Sequence, residues 1–296
     1  MAKIEVHSVE HVYELTQPRA DAPALVFIHG WLLSRHYWQP LIRQLAPSYQ
    51  CLSYDLRGFG ESQFSLETRP TRFSCYTPES YAEDLVALLK KLEISSVWLI
   101  GHSLGGTIAL FAADKLPQKV QGVICLNSGG GIYLKEDIDR FRAVGEKLVR
   151  FRPPWLSYLP LLDLLFARTQ VSQAVKRQWG RQRLVDFVAA HPEAALGALL
   201  DSTTEAEVHR LPQLVAHLTQ PVYFITGTKD RVMEPRYVRH LASFHHLFRH
   251  GQDNVLELPD CGHLAMIEHP DLIVSHLQQL ISVNSPDSQL TDGICR

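Results

Sequence analysis

A chain of 296 residues, 46% of them hydrophobic, can bury a large core, which excludes disorder over most of its length. Only 20% of the residues are charged and the formal net charge is −2, so no global field draws it to a polyanion and nucleic acid is excluded as a partner. The five cysteines (Cys51, Cys75, Cys125, Cys261 and Cys295) form no C-x-x-C pair, so neither a disulfide framework nor a zinc site is indicated.

The first residues contain no apolar signal-peptide core, and the most apolar stretch, 154–167, carries Asp163 and is shorter than the ~18–20 residues a spanning helix needs. These features are read as those of a cytoplasmic protein. Residues 4–9 and 11–16 predict an antiparallel hairpin at a sheet edge. The apolar runs 24–28, 50–54, 97–100, 120–126, 222–225 and 255–258 read as strands buried on both faces, as in parallel sheets covered by helices. Tyr81, Leu85, Leu88, Leu89 and Leu92 form a helical stripe that Pro78 and Glu79 open, and 104–116 is a second helix. Strands alternating with helices predict an α/β fold with a mostly parallel sheet.

Between 129 and 219 no strand is evident, only helix-compatible segments punctuated by Pro153, Pro154, Pro160, Pro192 and Pro212. This predicts a core formed by 1–128 and 220–283, a helical insertion at 129–219, and a polar tail at 284–296.

The chemistry starts where the strand at 97–100 runs into Gly101-His102-Ser103-Leu104-Gly105-Gly106 and a helix. A G-x-S-x-G in that setting is a strand-to-helix turn so tight that Gly101 and Gly105 must be small, and it pushes Ser103 out at the carboxyl edge of the sheet. A serine hydroxyl needs a base, and the base needs an orienting carboxylate. The loop after 222–225 supplies Asp230 and the loop after 255–258 supplies His263, giving the chain order Ser, Asp, His. A turn or helix N-cap role is the lesser alternative for Asp230, because the other strand end, at 126, offers Asn127 instead of a carboxylate. The chain has 15 histidines, so position rather than presence singles out His263. The turn His29-Gly30-Trp31 after 24–28 lets the N–H of Trp31 join that of Leu104 as an oxyanion hole, while His29 itself reads as structural.

Together with Asp55-Leu56-Arg57-Gly58-Phe59-Gly60-Glu61-Ser62, which matches a D-x-R-G-x-G-x-S turn, these motifs resemble the α/β-hydrolase superfamily over 23–128 and 219–283. The resemblance implies an α/β-hydrolase fold with a helical cap over the site. Ser103 stands where haloalkane dehalogenases and epoxide hydrolases carry aspartate, and Trp31 interrupts the H-G-G-G pattern of many lipases. It therefore implies a serine hydrolase acting on a small-molecule ester or acyl substrate with a hydrophobic portion, requiring neither metal nor organic cofactor. Thioesterases, C–C hydrolases and cofactor-free haloperoxidases or perhydrolases share the same machinery, and a non-catalytic ligand-binding protein on this scaffold is the remaining alternative.

The segment 153–166 is expected either to pack on the core or to line the acyl pocket, with Trp155, Tyr158, Leu161 and Phe166 as candidate wall residues. Residues 135–183 hold 11 cations against five acids, a net of +6 that leaves −8 for the rest. A basic cap with apolar side chains suits weak contact with a membrane surface, whereas a solvated helical face explains the same charge.

Overall fold

A computed structural model describes residues 1–19, 22–64, 76–129 and 135–284. Among these, eight strands form one sheet: β1 (Ala2–Val6), β2 (Val9–Leu15), β3 (Ala24–Ile28), β4 (Cys51–Tyr54), β5 (Val97–His102), β6 (Val120–Leu126), β7 (Val222–Gly227) and β8 (Val255–Leu258). Their spatial order is β1-β2-β4-β3-β5-β6-β7-β8. The pairs β1–β2 and β2–β4 are antiparallel and all later neighbours are parallel. Every residue of β3, β4 and β5 is buried, which is why those runs are continuously apolar rather than alternating.

The edge hairpin turns earlier than the sequence reading places it. His7 and Ser8, both at positive φ (48° and 63°), close a two-residue turn with Val6 opposite Val9. Such turns favour Asn-Gly, so a His-Ser pair gives no signal.

Helices α1 (Gln39–Leu45), α2 (Pro78–Lys91) and α3 (Leu104–Lys115) follow β3, β4 and β5 in turn. Between β6 and β7 lie α4 (Lys135–Arg150), a 3-10 turn at Pro154–Tyr158, α5 (Leu162–Phe166), α6 (Arg177–Ala189), α7 (Pro192–Ser202) and α8 (Glu205–His217). Then α9 (Pro235–Ala242) and α10 (His246–Arg249) follow β7, and α11 (Ala265–Glu268) and α12 (Pro270–Val283) follow β8. As expected, α2 opens at Pro78, and the Thr77 hydroxyl caps it by accepting from the Ser80 amide. Pro212, expected to break a helix, lies inside α8 instead, at the cost of one backbone bond to the preceding turn.

One face of the sheet packs Leu25 and Phe27 against Leu41 of α1 and Leu277 of α12. The other packs Val26 and Ile28 with Leu85 of α2 and Ile108 of α3. That second cluster extends into the insertion through Ala194 and Ala198 of α7 and Leu211 and Val215 of α8. The 3-10 turn at Pro154–Tyr158 contributes no buried residue. Cys51, Cys125 and Cys261 are buried and unpaired, and burial raises their thiol pKa values, that of Cys51 to about 12. Cys75, Cys295 and, beyond Asn284, the polar tail lie outside the described residues.

Candidate active site

The carboxyl ends of β3, β5, β7 and β8 bring the candidate residues to one edge of the sheet. Ser103 joins β5 to α3 with φ 52° and ψ −120°, a conformation costly for a residue with a side chain. The flanking glycines follow from crowding. A Cβ on Gly101 would meet the Gly105 carbonyl at 2.2 Å, and one on Gly105 would meet the Ile28 carbonyl at 2.2 Å. Gly30 sits so near the elbow that a Cβ there would lie 3.1 Å from the Ser103 Cβ. The turn bearing Trp31 is thereby pressed against Ser103.

His263 Nδ1 donates to Asp230 Oδ2 at 2.8 Å. The other oxygen, Oδ1, accepts the amides of Val232 (2.8 Å) and Met233 (2.9 Å). Burial works to raise the Asp230 pKa, but the His263 charge and hydrogen bond, helped by those two amides, outweigh it and hold the carboxyl below its ordinary value. Asn127 Nδ2 donates both to Asp230 Oδ2 and to the Gly262 carbonyl, each at 3.0 Å. The strand end that lacks a carboxylate thus supplies an amide that ties the acid to the histidine loop.

The backbone of that loop is held from several sides. Its His263 amide donates to the Gln170 carbonyl at 2.8 Å. Its carbonyl lies 2.8 Å from His102 Nε2, which must carry the proton. Burial, and then the neighbouring His263, lower the His102 pKa to about 3, so this ring is a neutral donor. Glu268 accepts from the amides of Gly262 (3.0 Å) and Leu264 (3.1 Å), and also from Ser172 of the insertion (2.7 Å). His29 uses both ring nitrogens on backbone: Nδ1 donates to the Gly30 carbonyl at 2.8 Å and Nε2 accepts the Leu56 amide at 2.9 Å. It fastens the turns after β3 and β4, in keeping with a structural part.

Ser103, His263, Trp31 and Leu104 line one cavity of about 140 Å3, whose walls are largely apolar. Its outer wall comes from Phe141 of α4, Leu199 of α7 and Val208 and Leu211 of α8, with Met233 from the loop after β7. The insertion therefore covers the site, but through residues other than those singled out in the sequence. Trp155, Tyr158 and Leu161 do not reach the cavity; they remain 58%, 82% and 62% exposed. Phe166 packs on Phe187 of α6, ring centroids 5.6 Å apart, and is also outside the wall. Apolar content alone misled, because Trp155, Tyr158 and Leu161 stay in solvent and Phe166 packs within the insertion, away from the cavity. The true wall had a subtler signal, the i, i+3 spacing of Val208 and Leu211 that faces the core. Nothing in the sequence pointed to Glu268.

A strained serine elbow, a hydrogen-bonded His–Asp pair and a lidded apolar cavity at the carboxyl edge of a parallel sheet define a hydrolase class of site. The model of the alpha/beta hydrolase fold family matches residues 23–270, and the chain belongs to that family. A pimeloyl-[acyl-carrier protein] methyl ester esterase of Xanthomonas axonopodis pv. citri is 31% identical over 266 residues, covering 88% of this chain and 95% of that protein. An uncharacterized hydrolase of Bacillus subtilis is 27% identical over 287 residues, covering 94% and 97%. Among solved structures, a thermophilic esterase from Thermogutta terrifontis superposes with a TM-score of 0.75 at 21% identity, over 96% of this chain and all of that one.

Proposed function

We propose that the protein is a serine hydrolase that cleaves a carboxylic ester with a hydrophobic portion through an acyl-enzyme. Ser103 Oγ attacks the ester carbonyl while His263 Nε2 takes its proton. The amides of Trp31 and Leu104 receive the developing oxyanion, a contribution of roughly 3–4 kcal/mol each. Collapse of the tetrahedral intermediate expels the alcohol, protonated by His263. Water, deprotonated by the same imidazole, then attacks the acyl-enzyme, and its collapse frees the carboxylic acid and restores Ser103. Asp230 stays ionised throughout, orienting the ring and stabilising its charged form.

The observation that carries this reading is the 2.8 Å His263–Asp230 contact beside a cavity that Ser103 and His263 share. A pure ligand-binding protein has no need of that pair or of the strained serine. The apolar wall supports a hydrophobic acyl chain, and the bulk of Trp31 beside the elbow favours a small alcohol. Esterases among the relatives, one named for a methyl ester, support the same choice over thioester or C–C bond cleavage.

A fluorophosphonate probe is expected to label Ser103, and Ser103→Ala to lower kcat by on the order of 10⁴–10⁶-fold with the fold retained. Methyl and p-nitrophenyl esters of increasing acyl length, compared with the matching thioesters and with peroxide-dependent halogenation, test the bond cleaved. Labelling at another residue, or thioesters turned over far faster than esters, would overturn the reading.

A further inference from the structure

Helix α4 carries two apolar faces. One packs inward, with Val149 buried and Gly145 so close to Leu199 of α7 that a Cβ there would lie 2.5 Å from its methyl carbon. The other consists of Val144 and Leu148, continued at spacing i, i+4, i+7 by Phe151 just past the helix end, and lies in solvent. The exposed series continues along the chain through Trp155, Tyr158, Leu161 and Leu165. Single exposed apolar residues are ordinary, but an exposed series that includes Phe, Trp and Tyr is the pattern of a contact surface.

The same segment is basic. Residues 135–183 carry a net charge of +6 within a chain of net −2, and Lys147, Arg150, Arg168, Lys176, Arg177 and Arg181 are all exposed. Two of these cations are fixed among the apolar groups. Arg181 donates to the Ser157 carbonyl of the 3-10 turn, and Arg177 Nε pairs with Asp163 Oδ2 of α5 at 2.6 Å. Among the described residues no helix is long and apolar enough to cross a membrane, so any lipid contact here is peripheral.

We propose that this face of the insertion docks on an anionic lipid bilayer, with Phe151, Trp155, Tyr158 and Leu161 entering the interface and the flanking Lys and Arg side chains meeting the headgroup phosphates. Three features favour a bilayer over other occupants. These four side chains protrude, from 58% exposed at Trp155 to 82% at Tyr158, and a fluid interface accepts protruding groups without a complementary shape. Trp and Tyr combine an apolar body with a polar tip, which suits the headgroup level. A second copy of the chain would bring the exposed cations Lys147, Arg150, Arg168, Lys176, Arg177 and Arg181 towards their equals, which repulsion opposes. The proposal goes beyond ester hydrolysis and does not depend on which residue is the nucleophile.

Co-sedimentation with vesicles of equal phosphatidylglycerol and phosphatidylcholine, against phosphatidylcholine alone, tests it with the full chain. Binding is expected to the anionic vesicles, weakened by salt. The double variant Trp155→Ala/Tyr158→Ala is expected to lower it on the order of tenfold. Lys147→Glu/Arg150→Glu should do the same and remove the preference for phosphatidylglycerol. Both variants should keep turnover of a soluble short-chain ester, because none of the four residues lines the cavity. Absence of binding, or binding indifferent to both variants, overturns the proposal. Dimerisation that Trp155→Ala/Tyr158→Ala abolishes, or capture on an acidic carrier protein without vesicle binding, assigns the face to another occupant and overturns it too.

Discussion

The two ends of the insertion treat their apolar residues in opposite ways. In α7 and α8, Ala194, Ala198, Leu211 and Val215 merge with the cluster that covers the sheet. At the end of α4, in the 3-10 turn and in α5, Phe151, Trp155, Tyr158 and Leu165 stay in solvent. The cavity wall draws mainly on the first end: Leu199, Val208 and Leu211 line it while α7 and α8 pack on the core. The shape of the candidate substrate site is therefore coupled to the stability of the fold, whereas the solvent-facing side chains of the outer end line neither the cavity nor the core.

That contrast breaks most visibly under truncation. Leu211→Ala removes a side chain that is only 3% exposed and belongs to both core and wall. It is expected to cost about 2–5 kcal/mol and to shift the preferred acyl chain towards longer esters. Phe151→Ser, at the other end, is expected to change stability by no more than about 0.5 kcal/mol. Urea midpoints at unchanged slope measure both. Similar losses for the two would mean that the outer end is packed after all.

The loop at 170–172 joins the insertion to the histidine loop, and Glu268 is the group that binds both. Glu268→Gln replaces one acceptor oxygen by a donor facing backbone amides, at a cost of about 1–3 kcal/mol. As a positioning residue for His263 it should lower kcat on the order of tenfold with KM nearly unchanged. The rate of fluorophosphonate labelling should fall in parallel. A change in KM alone would instead make Glu268 a support of the cavity wall.

How much of this the sequence disclosed depended on whether a residue's reason was local. Ser103, Gly101 and Gly105 were legible because a tight strand-to-helix turn permits few residue types, and β3, β4 and β5 because strands buried on both faces leave continuous apolar runs, whereas β8, read the same way, is an edge strand with Glu257 exposed. Asp230 and His263 were legible as loop residues after such strands. The hairpin turn was misplaced because His7 and Ser8 adopt positive φ without the residues that favour it. Trp155, Tyr158, Leu161 and Phe166 were chosen for apolarity, yet burial depends on a partner element that composition does not name. Asn127 was passed over as the absence of a carboxylate, and its use as a double donor is a three-dimensional fact.

The seam between insertion and core carries a pH-dependent effect. Asp186 of α6 accepts from Ser34 Oγ and from Gln182 Nε2, each at 2.9 Å, and is buried beside Tyr37, which stacks on Trp179 of the same helix. Burial raises its pKa to about 7, with a further push from Asp55, although the hydrogen bonds of its neighbours act the other way. The folded state therefore holds the Asp186 proton where the unfolded chain, with an ordinary value of 3.8, has released it. By linkage the contribution is fully present below the unfolded value and is lost as pH rises through about 7. Asp186→Asn keeps the neutral form at every pH, so it should gain on the wild type by about 2–3 kcal/mol between pH ~5 and ~8. Urea unfolding at those two pH values measures the difference. A constant offset would show that Asp186 is ionised in the fold throughout and that its charge is satisfied at the seam.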